Sequence, residues 1–434
     1  MRLTNAGDGS SFEAHALAVV LLLFRIGVLT NFQGGSIGKV DQVSPTYLRC
    51  AIKGQSDQDH RNRQANWYYF ELTNLPHEPL TIDLVDLAGE YNYRRPVYSV
   101  TKDVRPVYSY DDVHWEHFTN SQVSWDSHEP HLTLQFTPEN DHVWIAHVTP
   151  YTNKDLSSLL LSFRKSPYLK VQSVGHTVEH RKMLLLTITG TRSSEAKKKV
   201  IWLMFRQHAW ETGSSWACEG AVRFLLSNNR RAAQIRDRII YKIFPMADPD
   251  GVADGGVRFN RNGYDLNRNW DTPDPQKMPE IWAQREAILG WVDSGRHLDL
   301  FLSLHNDETN EYVEAPATFQ ALGERVFHAL VETTSFNPTS PLRKMAVTTT
   351  KGKPGRMQVD QGLYHDRRLP AMLMEQVIVY NSKLGHVPTA ADRKQFGAEL
   401  VRALAEAVTG TTRGRAGFQP RPSSAVANPV RRWG

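Results

Sequence analysis

The chain has 434 residues, which exceeds one ordinary domain and predicts two. Hydrophobic residues make up 40% of it and charged residues 22%, the balance of a soluble globular protein. The formal net charge is +5, but five arginines and no acidic residue lie within residues 411–434, so the remainder is neutral. A neutral body argues against a nucleic-acid-binding protein with a basic face.

The first 30 residues contain a short apolar run at positions 16–24. This run is too short to span a bilayer, so no membrane partner is expected. It is also compatible with a signal peptide, although one arginine and two acidic residues precede it. The two cysteines, Cys50 and Cys218, make no ligand motif and fit a reducing compartment. We therefore predict a cytoplasmic protein with a disordered leader over residues 1–30, with export as the alternative.

Residues 31–149 predict a small all-β sandwich, because short segments rich in β-forming residues are separated by turn residues. The predicted strands include residues 66–72, 80–85, 131–136 and 143–148. Aromatic residues are frequent here, among them Tyr91, Tyr93, Tyr98, Trp115 and Trp125. Packing in the core and between domains is the favoured interpretation of these residues, and a carbohydrate- or peptide-binding platform is the alternative.

Residues 150–412 alternate strands with helices, which predicts an α/β domain with a mixed, largely parallel sheet flanked by helices. The predicted strands are 184–189, 200–205, 240–244, 298–304 and 371–374, and the predicted helices are 216–226, 279–294 and 390–408. Ser214 or Ser215 is expected to cap the first helix and Thr389 the last. The basic tail at 413–434 is expected to be disordered.

Four polar residues fall at the ends of these strands. His208 and Glu211 follow the strand at 200–205, His305 ends the strand at 298–304, and Glu375 follows the strand at 371–374. Sites in largely parallel sheets form beyond the carboxyl ends of the strands. Two histidines and a glutamate suit a catalytic zinc ion that keeps an open position for water, and a further carboxylate suits a general base. The alternative for each residue is a satisfied histidine or an ion-paired glutamate.

The segment between the first pair and His305 is predicted to begin with a loop at 245–251, followed by Arg258 and by residues 263–270. Arginine beside zinc can hold a planar carboxylate through two bonds, and a neighbouring asparagine adds a third donor. A second arginine can steady an oxyanion. The segment therefore suits a substrate with a free terminal carboxylate. The alternative is that the arginines pair with nearby acids, namely Asp248, Asp250, Asp254 and Asp265.

Taken together, the motifs resemble the zinc carboxypeptidase family. They appear in its order: His208-x-x-Glu211, Asp248-Pro-Asp-Gly251, Asp265-Leu-Asn-Arg-Asn-Trp270, His305 and Glu375. The β-rich region before them, with Asn66-Trp-Tyr-Tyr-Phe70 and Pro150-Tyr-Thr152, is similar to the cytosolic carboxypeptidase branch. The resemblance covers roughly residues 32–410. It implies a zinc carboxypeptidase-like fold, one Zn²⁺ per chain and Glu375 as general base, and it implies peptide or protein C-termini as substrates.

The resemblance also implies that Arg258 lies at the scissile carbonyl, and that Asn267 and Arg268 bind the terminal carboxylate. Ala209-Trp210 replaces the family's usual Pro-Gly and is expected to crowd the site. Tyr364 is the candidate for the family's mobile tyrosine. Arg356 is the candidate for the basic residue with which some members of the branch select glutamates, although Lys351, Lys353 and Arg356 also fit a solvated loop.

We predict that the protein is a zinc metallocarboxypeptidase. A basic Arg356 in the specificity pocket would give a preference for substrates with an acidic C-terminal residue. A zinc amidohydrolase of N-acyl amino acids is the nearest alternative. A non-catalytic binding protein on the same fold is a further alternative, although all metal and base positions are occupied by suitable residues.

Overall fold

A computed structural model describes residues 25–91, 94–346 and 355–410. The apolar run at 16–24, Tyr93, Lys351, Lys353 and the basic tail at 413–434 lie outside the described residues. Within those ranges, every helix is too short or too polar to cross a membrane.

The leading part of the described chain consists of β-strands. Their bounds are β1 Gly27–Leu29, β2 Val40–Ser44, β3 Tyr47–Ala51, β4 Tyr69–Thr73, β5 Leu80–Val85, β6 Gly89–Tyr91, β7 Arg94–Val97, β8 Val107–Ser109, β9 Glu116–His117, β10 Val123–Asp126, β11 His131–Phe136 and β12 His142–Ala146. One five-stranded sheet has the order β1-β4-β12-β8-β9 and the other β10-β11-β5-β3-β2, while β6 and β7 form a separate ribbon.

The two five-stranded sheets pack face to face, because alternate residues of their strands are apolar and buried. Leu80, Ile82 and Leu84 of β5 belong to one core cluster with Phe70 of β4 and Val143 of β12. The predicted all-β sandwich is therefore confirmed. Strands β5 and β11 have the predicted bounds, whereas β1 begins four residues before the boundary predicted at residue 31. The predicted domain limits remain a proposal.

The rest of the described chain alternates helices and strands. The helices are α1 Asn153–Ser162, α2 Thr212–Leu226, α3 Arg230–Arg238, α4 Pro249–Ala253, α5 Pro279–Asp293, α6 Gln320–Thr333, α7 Val359–Arg367 and α8 Ala390–Thr409. The strands are β13 Leu169–His176, β14 Lys182–Ile188, β15 Lys199–Phe205, β16 Ile239–Phe244, β17 Leu300–Asp307, β18 Tyr312–Ala315, β19 Arg343–Lys344 and β20 Ala371–Val377.

These strands form an eight-stranded mixed sheet with the order β13-β14-β16-β15-β17-β20-β18-β19. The central strands β16, β15, β17 and β20 are parallel, and antiparallel pairs join β13, β14 and β18 to them. Helices α2, α6 and α8 share one apolar cluster with the sheet, and α5 and α7 share another. The predicted fold class, an α/β domain with a mixed sheet flanked by helices, is confirmed.

Three local predictions are wrong. The segment predicted as a loop at 245–251 contains the start of α4, because Pro249 begins that helix and the Asp248 side chain caps it by accepting from Gly251 N at 2.9 Å. Helix α2 begins at Thr212 with Glu211 as its N-cap residue, so neither Ser214 nor Ser215 is the cap. Strands β17 and β20 continue past His305 and Glu375. The predicted cap of α8 at Thr389 is confirmed.

Helix α2 packs closely against the closing helix α8 through two glycines. A Cβ atom built on Gly220 would lie 1.8 Å from the carbonyl oxygen of Lys394, and one on Gly397 would lie 1.8 Å from that of Ala217. Only glycine allows the backbones to approach this closely. Glu211 is the N-cap residue of α2, so this contact also holds the helix end that carries Glu211 in place.

We predict that Gly220→Ala destabilises the protein by at least about 2 kcal/mol, since the new methyl group meets backbone rather than a movable side chain. Gly290→Ala in α5 is the matched control: nothing lies within 4 Å of a Cβ built there, so helix propensity should stabilise the protein by up to ~1 kcal/mol. Urea denaturation measures both free energies of unfolding. Equal effects of the two substitutions would contradict the close-packing explanation.

Candidate active site

Two parallel neighbouring strands bring His208, Glu211 and His305 together. His208 lies in the turn after β15, Glu211 is the N-cap residue of α2, and His305 lies in β17, which pairs with β15. Glu211 Oε1 is 2.6 Å from His208 Nδ1, and Oε2 is 2.9 Å from His305 Nδ1. One possible ligand atom from each residue lies within 4.8 Å of the others, and the three side chains are at most 3% exposed.

This set of donor atoms fits a zinc ion. Two imidazole nitrogens and a carboxylate converge on one point, which is the donor set of a catalytic zinc site with one open position. Burial lowers the pKa of His305, which favours the neutral imidazole that binds metals. Burial opposes ionisation of Glu211, but the neighbouring imidazoles of His208 and His305 outweigh it and lower its pKa to about 2. The carboxylate is therefore ionised, as a metal ligand must be.

The turn that carries His208 is held by a buried arginine. Arg206 directly follows β15 and has a φ of 59°, in the left-handed region that residues other than glycine seldom adopt. Its guanidinium is buried and donates to the carbonyl oxygens of Ala209 and Tyr151 and to Ser215 Oγ. These bonds stabilise the sharp turn that points His208 back over the end of the sheet.

The second nitrogen of each imidazole also has a partner. His208 Nε2 lies 3.1 Å from Asp265 Oδ1, and His305 Nε2 lies 2.8 Å from Ser303 Oγ and 3.0 Å from Gln207 Oε1. Such partners fix the orientation and tautomer of a metal-binding histidine. Sequence reasoning missed Gln207 and Ser303. Their only signal is position, since Gln207 precedes His208 and Ser303 lies two residues before His305 on the same face of β17.

Asp265 contacts both the candidate metal ligand His208 and Arg258. Its Oδ2 accepts from Arg258 Nε at 2.7 Å while its Oδ1 faces His208. Burial opposes its ionisation, but the charge of Arg258 and the hydrogen bond from His208 outweigh burial and hold the pKa of Asp265 well below its ordinary value. The alternative expectation of an arginine–aspartate pair thus holds for Arg258 and Asp265. Asp250 and Asp254 pair instead with Arg181 and Arg261.

A cavity of about 230 Å³ opens beside this network. Arg258, Arg268 and Arg356 line it together with Asp265 and Asn269. The leading sandwich contributes the opposite wall with Asp57, Gln58, Asn62, Gln64 and Tyr91. Tyr91 was expected to serve packing, but its hydroxyl accepts from Arg268 Nη2 at 3.1 Å and its ring lies 5.4 Å from the Arg258 guanidinium carbon. A tyrosine of the sandwich therefore positions both arginines.

Asn267 and Arg268 are adjacent in the chain, and Arg268 lines the cavity. Asn267 Oδ1 accepts from the backbone N–H of Val359 at 2.9 Å, which fixes the orientation of the Asn267 side chain. Arg268 donates from Nη1 to the carbonyl oxygen of Asn267 at 2.7 Å. The pair thus presents N–H groups fixed by the backbone, an arrangement that suits a carboxylate.

Glu375 lies opposite His305 in the register of β17 and β20. It is half-buried, and its Oε2 has no hydrogen-bond partner in the described part of the chain. Burial, followed by the charges of Glu211 and Asp307, raises the pKa of Glu375 well above its ordinary value, while Arg258 opposes the rise. A carboxyl group with a raised pKa beside a metal site can exchange protons near neutral pH.

Two predicted residues differ in their placement. Arg356 lines the cavity. Tyr364 is not brought to it: the side chain is buried on α7, and its hydroxyl accepts from Thr318 Oγ1 at 3.2 Å. The expected crowding by Trp210 is wrong, because this side chain packs among Trp67, Tyr69 and other residues at the contact with the sandwich.

Comparison with known proteins gives consistent relationships. The family model for zinc carboxypeptidase matches residues 160–309, and the model for the cytosolic carboxypeptidase N-terminal domain matches residues 28–148. Bovine cytosolic carboxypeptidase 3 is 27% identical over 304 residues, which cover 65% of this chain and 29% of the relative. Cytosolic carboxypeptidase 6 of Caenorhabditis elegans is 27% identical over 308 residues, 68% of this chain and 66% of the relative. The chain thus spans less than a third of the bovine relative's length.

A solved structure shares most of the architecture. The metallo-carboxypeptidase from Burkholderia cenocepacia superimposes with a TM-score of 0.74 and 25% sequence identity. The superposition covers 89% of this chain and all of that one, so it includes both the leading sandwich and the eight-stranded sheet.

We predict that Asp265→Asn weakens zinc binding by about 10- to 100-fold, because His208 loses the charged partner that orients it. Asp274→Asn is the matched control, since Asp274 caps a surface turn with an oxygen that asparagine retains. Competition with a fluorescent zinc chelator measures both affinities. If the two variants bind zinc alike, Asp265 does not position the histidine.

Proposed function

The chain belongs to the zinc carboxypeptidase family, in its cytosolic carboxypeptidase branch, and from this premise we propose that it is a zinc metallocarboxypeptidase that hydrolyses the C-terminal bond of peptides or proteins. One observation carries the proposal. The buried cluster of His208, Glu211 and His305 lies beside Glu375 in the next parallel strand, and a cavity lined by arginines adjoins it.

His208, Glu211 and His305 would hold the zinc. When bound, zinc supplies a Lewis acid that acidifies water and polarises the substrate carbonyl. Glu375 accepts the proton of the attacking water and returns it to the leaving amine, so one carboxyl group serves as base and then as acid. Its raised pKa suits the return of the proton, because a group that binds protons too weakly could not protonate the amine.

Arg258 stabilises the oxyanion that develops on the scissile carbonyl. It is held by Asp265 and lies close enough to Glu375 to favour that residue's charged form. A fixed cation aimed at a developing negative charge needs no reorganisation during the reaction. Asn267 and Arg268 bind the terminal carboxylate through their N–H groups, and this contact selects the end of a chain over an internal peptide bond.

Three finer assignments belong to the same proposal. The relatives are named cytosolic, which supports a cytoplasmic location for this protein. A preference for an acidic C-terminal residue stays a prediction that rests on Arg356 in the cavity wall. Contact between Tyr364 and the substrate also stays a prediction, and it requires the Tyr364 side chain to leave its buried position on α7.

We predict that Glu375→Gln retains one zinc per chain but lowers kcat by at least about 10²-fold, since glutamine cannot carry the proton. Release of C-terminal amino acids from a peptide library measures turnover, and metal analysis measures zinc. Glu332→Gln on exposed α6 surface is the control and should be fully active. Unchanged turnover of Glu375→Gln would refute the base assignment. Hydrolysis of N-acetyl amino acids in place of peptides would refute the peptidase assignment.

A further inference from the structure

A row of side chains crosses four neighbouring strands of the eight-stranded sheet and has no part in the chemistry described so far. Lys170 of β13 lies directly opposite Thr187 of β14, and Thr187 lies opposite Lys242 of β16. Lys242 in turn lies opposite Trp202 of β15. Residues directly opposite each other point to the same face of a sheet, and neighbouring strands lie about 5 Å apart. Thr187 therefore lies between two lysines on one face of the sheet.

Lys242 is 6% exposed, and its ammonium group lies among aromatic rings. Its Nζ donates to Thr187 Oγ1 at 2.9 Å and lies 4.5 Å from the ring centroid of Trp291 in α5. The ring centroid of Trp202 is 5.7 Å from Nζ, and the centroids of the two indole rings are 6.1 Å apart. Among the described residues no carboxylate forms an ion pair with Lys242, so no anion in contact balances its charge.

Two further cations act on this amine. Arg296 follows α5, and its guanidinium carbon lies 3.8 Å from the ring centroid of Trp291. Burial, followed by the charges of Arg296 and Lys170, lowers the pKa of Lys242 to about 8. The carboxylate of Glu195 opposes the fall, and contact with the indole rings also favours the ammonium form. Free amine and ammonium therefore coexist slightly above neutral pH.

The groups around the amine are donors that lack an acceptor. Trp202 is buried, and its Nε1–H has no hydrogen-bond partner in the described part of the chain. The Trp291 N–H, by contrast, donates to the carbonyl oxygen of His297 at 2.7 Å. Within the described ranges, Arg296 pairs with no carboxylate. Because a buried donor without a partner costs free energy and clustered cations repel one another, a negatively charged acceptor at Lys242 would stabilise this arrangement.

We propose that Lys242 is a modification site, where the amine takes up carbon dioxide and forms a carbamate that Lys170 and Arg296 stabilise. The inference is independent of the carboxypeptidase activity. The nitrogen lone pair bonds to the carbon of carbon dioxide, one C–O π bond becomes a lone pair on oxygen, and the nitrogen releases one proton to solvent. The N–H that remains keeps the bond to Thr187 Oγ1. The carbamate oxygens lie about 2.3 Å from Nζ, as the oxygen of an amide does from its nitrogen, and so extend toward the donors around the amine.

The size of the reagent decides which modification the site allows. Burial of Lys242 excludes a bulky acyl donor, whereas carbon dioxide is small and uncharged. A second buried lysine provides the contrast. Lys198 is 2% exposed, and its Nζ donates to Thr189 Oγ1 at 2.8 Å and to the carbonyl oxygens of Gly190 and Arg236. Burial lowers the pKa of Lys198 as well, but three oxygen acceptors stabilise its ammonium form, which does not react with carbon dioxide.

The test equilibrates the zinc-loaded full-length protein with isotopically labelled carbon dioxide at a fixed dissolved concentration. Carbon NMR counts the carbamate carbons per chain. A trialkyloxonium reagent converts the carbamate to a stable ester, and peptide mass spectrometry then identifies the modified residue. We expect the ester on Lys242 and none on Lys198. Its occupancy should rise by at least about threefold from pH 7 to pH 8, because the free amine is the reacting form.

One variant and a matched control test the surroundings of the amine. Arg296→Gln should lower the carbamate occupancy of Lys242 by at least about threefold, since a nearby cation both favours the free amine and pairs with the carbamate. Arg402→Gln should keep the occupancy, because Arg402 also lies over an aromatic ring, that of Phe224, but belongs to α8. Wild-type protein without an ester on Lys242, or with esters shared equally with Lys198, overturns the proposal. Unchanged occupancy in Arg296→Gln overturns it as well.

Discussion

The structure depends on one constraint, the parallel register of three neighbouring strands. Strand β15 leads into the turn of His208, β17 carries His305, and β20 carries Glu375 opposite His305. Because the strands run in the same direction, their functional residues reach the same end of the sheet. Glu211 completes the cluster from the N-terminus of α2, where the helix dipole favours its negative charge. Each residue of the cluster is thus placed by a strand, by the turn that follows a strand, or by the start of a helix.

The leading sandwich takes part in the site as well as preceding it in the chain. Tyr91 lies against Arg258 and bonds to Arg268, and the loop around Asp57 forms a wall of the cavity. Trp210, which lies between His208 and Glu211 in the chain, packs among aromatic residues of the sandwich. The Asn66 side chain donates to Glu308, three residues after His305, at 3.0 Å. Contacts on both sides of the metal cluster therefore join the sandwich to the sheet.

Patterns local in the sequence predicted much of this arrangement. Buried strands such as Leu80–Val85 are visible as alternating or continuous apolar runs, and the cap at Thr389 has its capping box in four residues. His208, Glu211 and His305 could be identified because strand ends are where such sheets form their sites. The predicted cap of α2 is wrong because the N-cap residue is Glu211. The Glu211 side chain contacts His208 and makes no hydrogen bond to the N–H groups of the helix.

Residues that act through distant partners could not be predicted in the same way. Gln207 and Ser303 lie 96 residues apart in the chain and belong to no motif. Folding places both of them beside His305 Nε2. Tyr91 was one of many aromatic residues in a β-rich segment, and no local pattern distinguishes it.

Anomalous diffraction at the zinc edge, from crystals of the zinc-loaded protein, tests the central claim most directly. We expect one zinc ion bonded to Nδ1 of His208, Nδ1 of His305 and the Glu211 carboxylate, at about 2.0–2.2 Å. Zinc bound elsewhere, with the two histidines still hydrogen-bonded to Glu211, would contradict it.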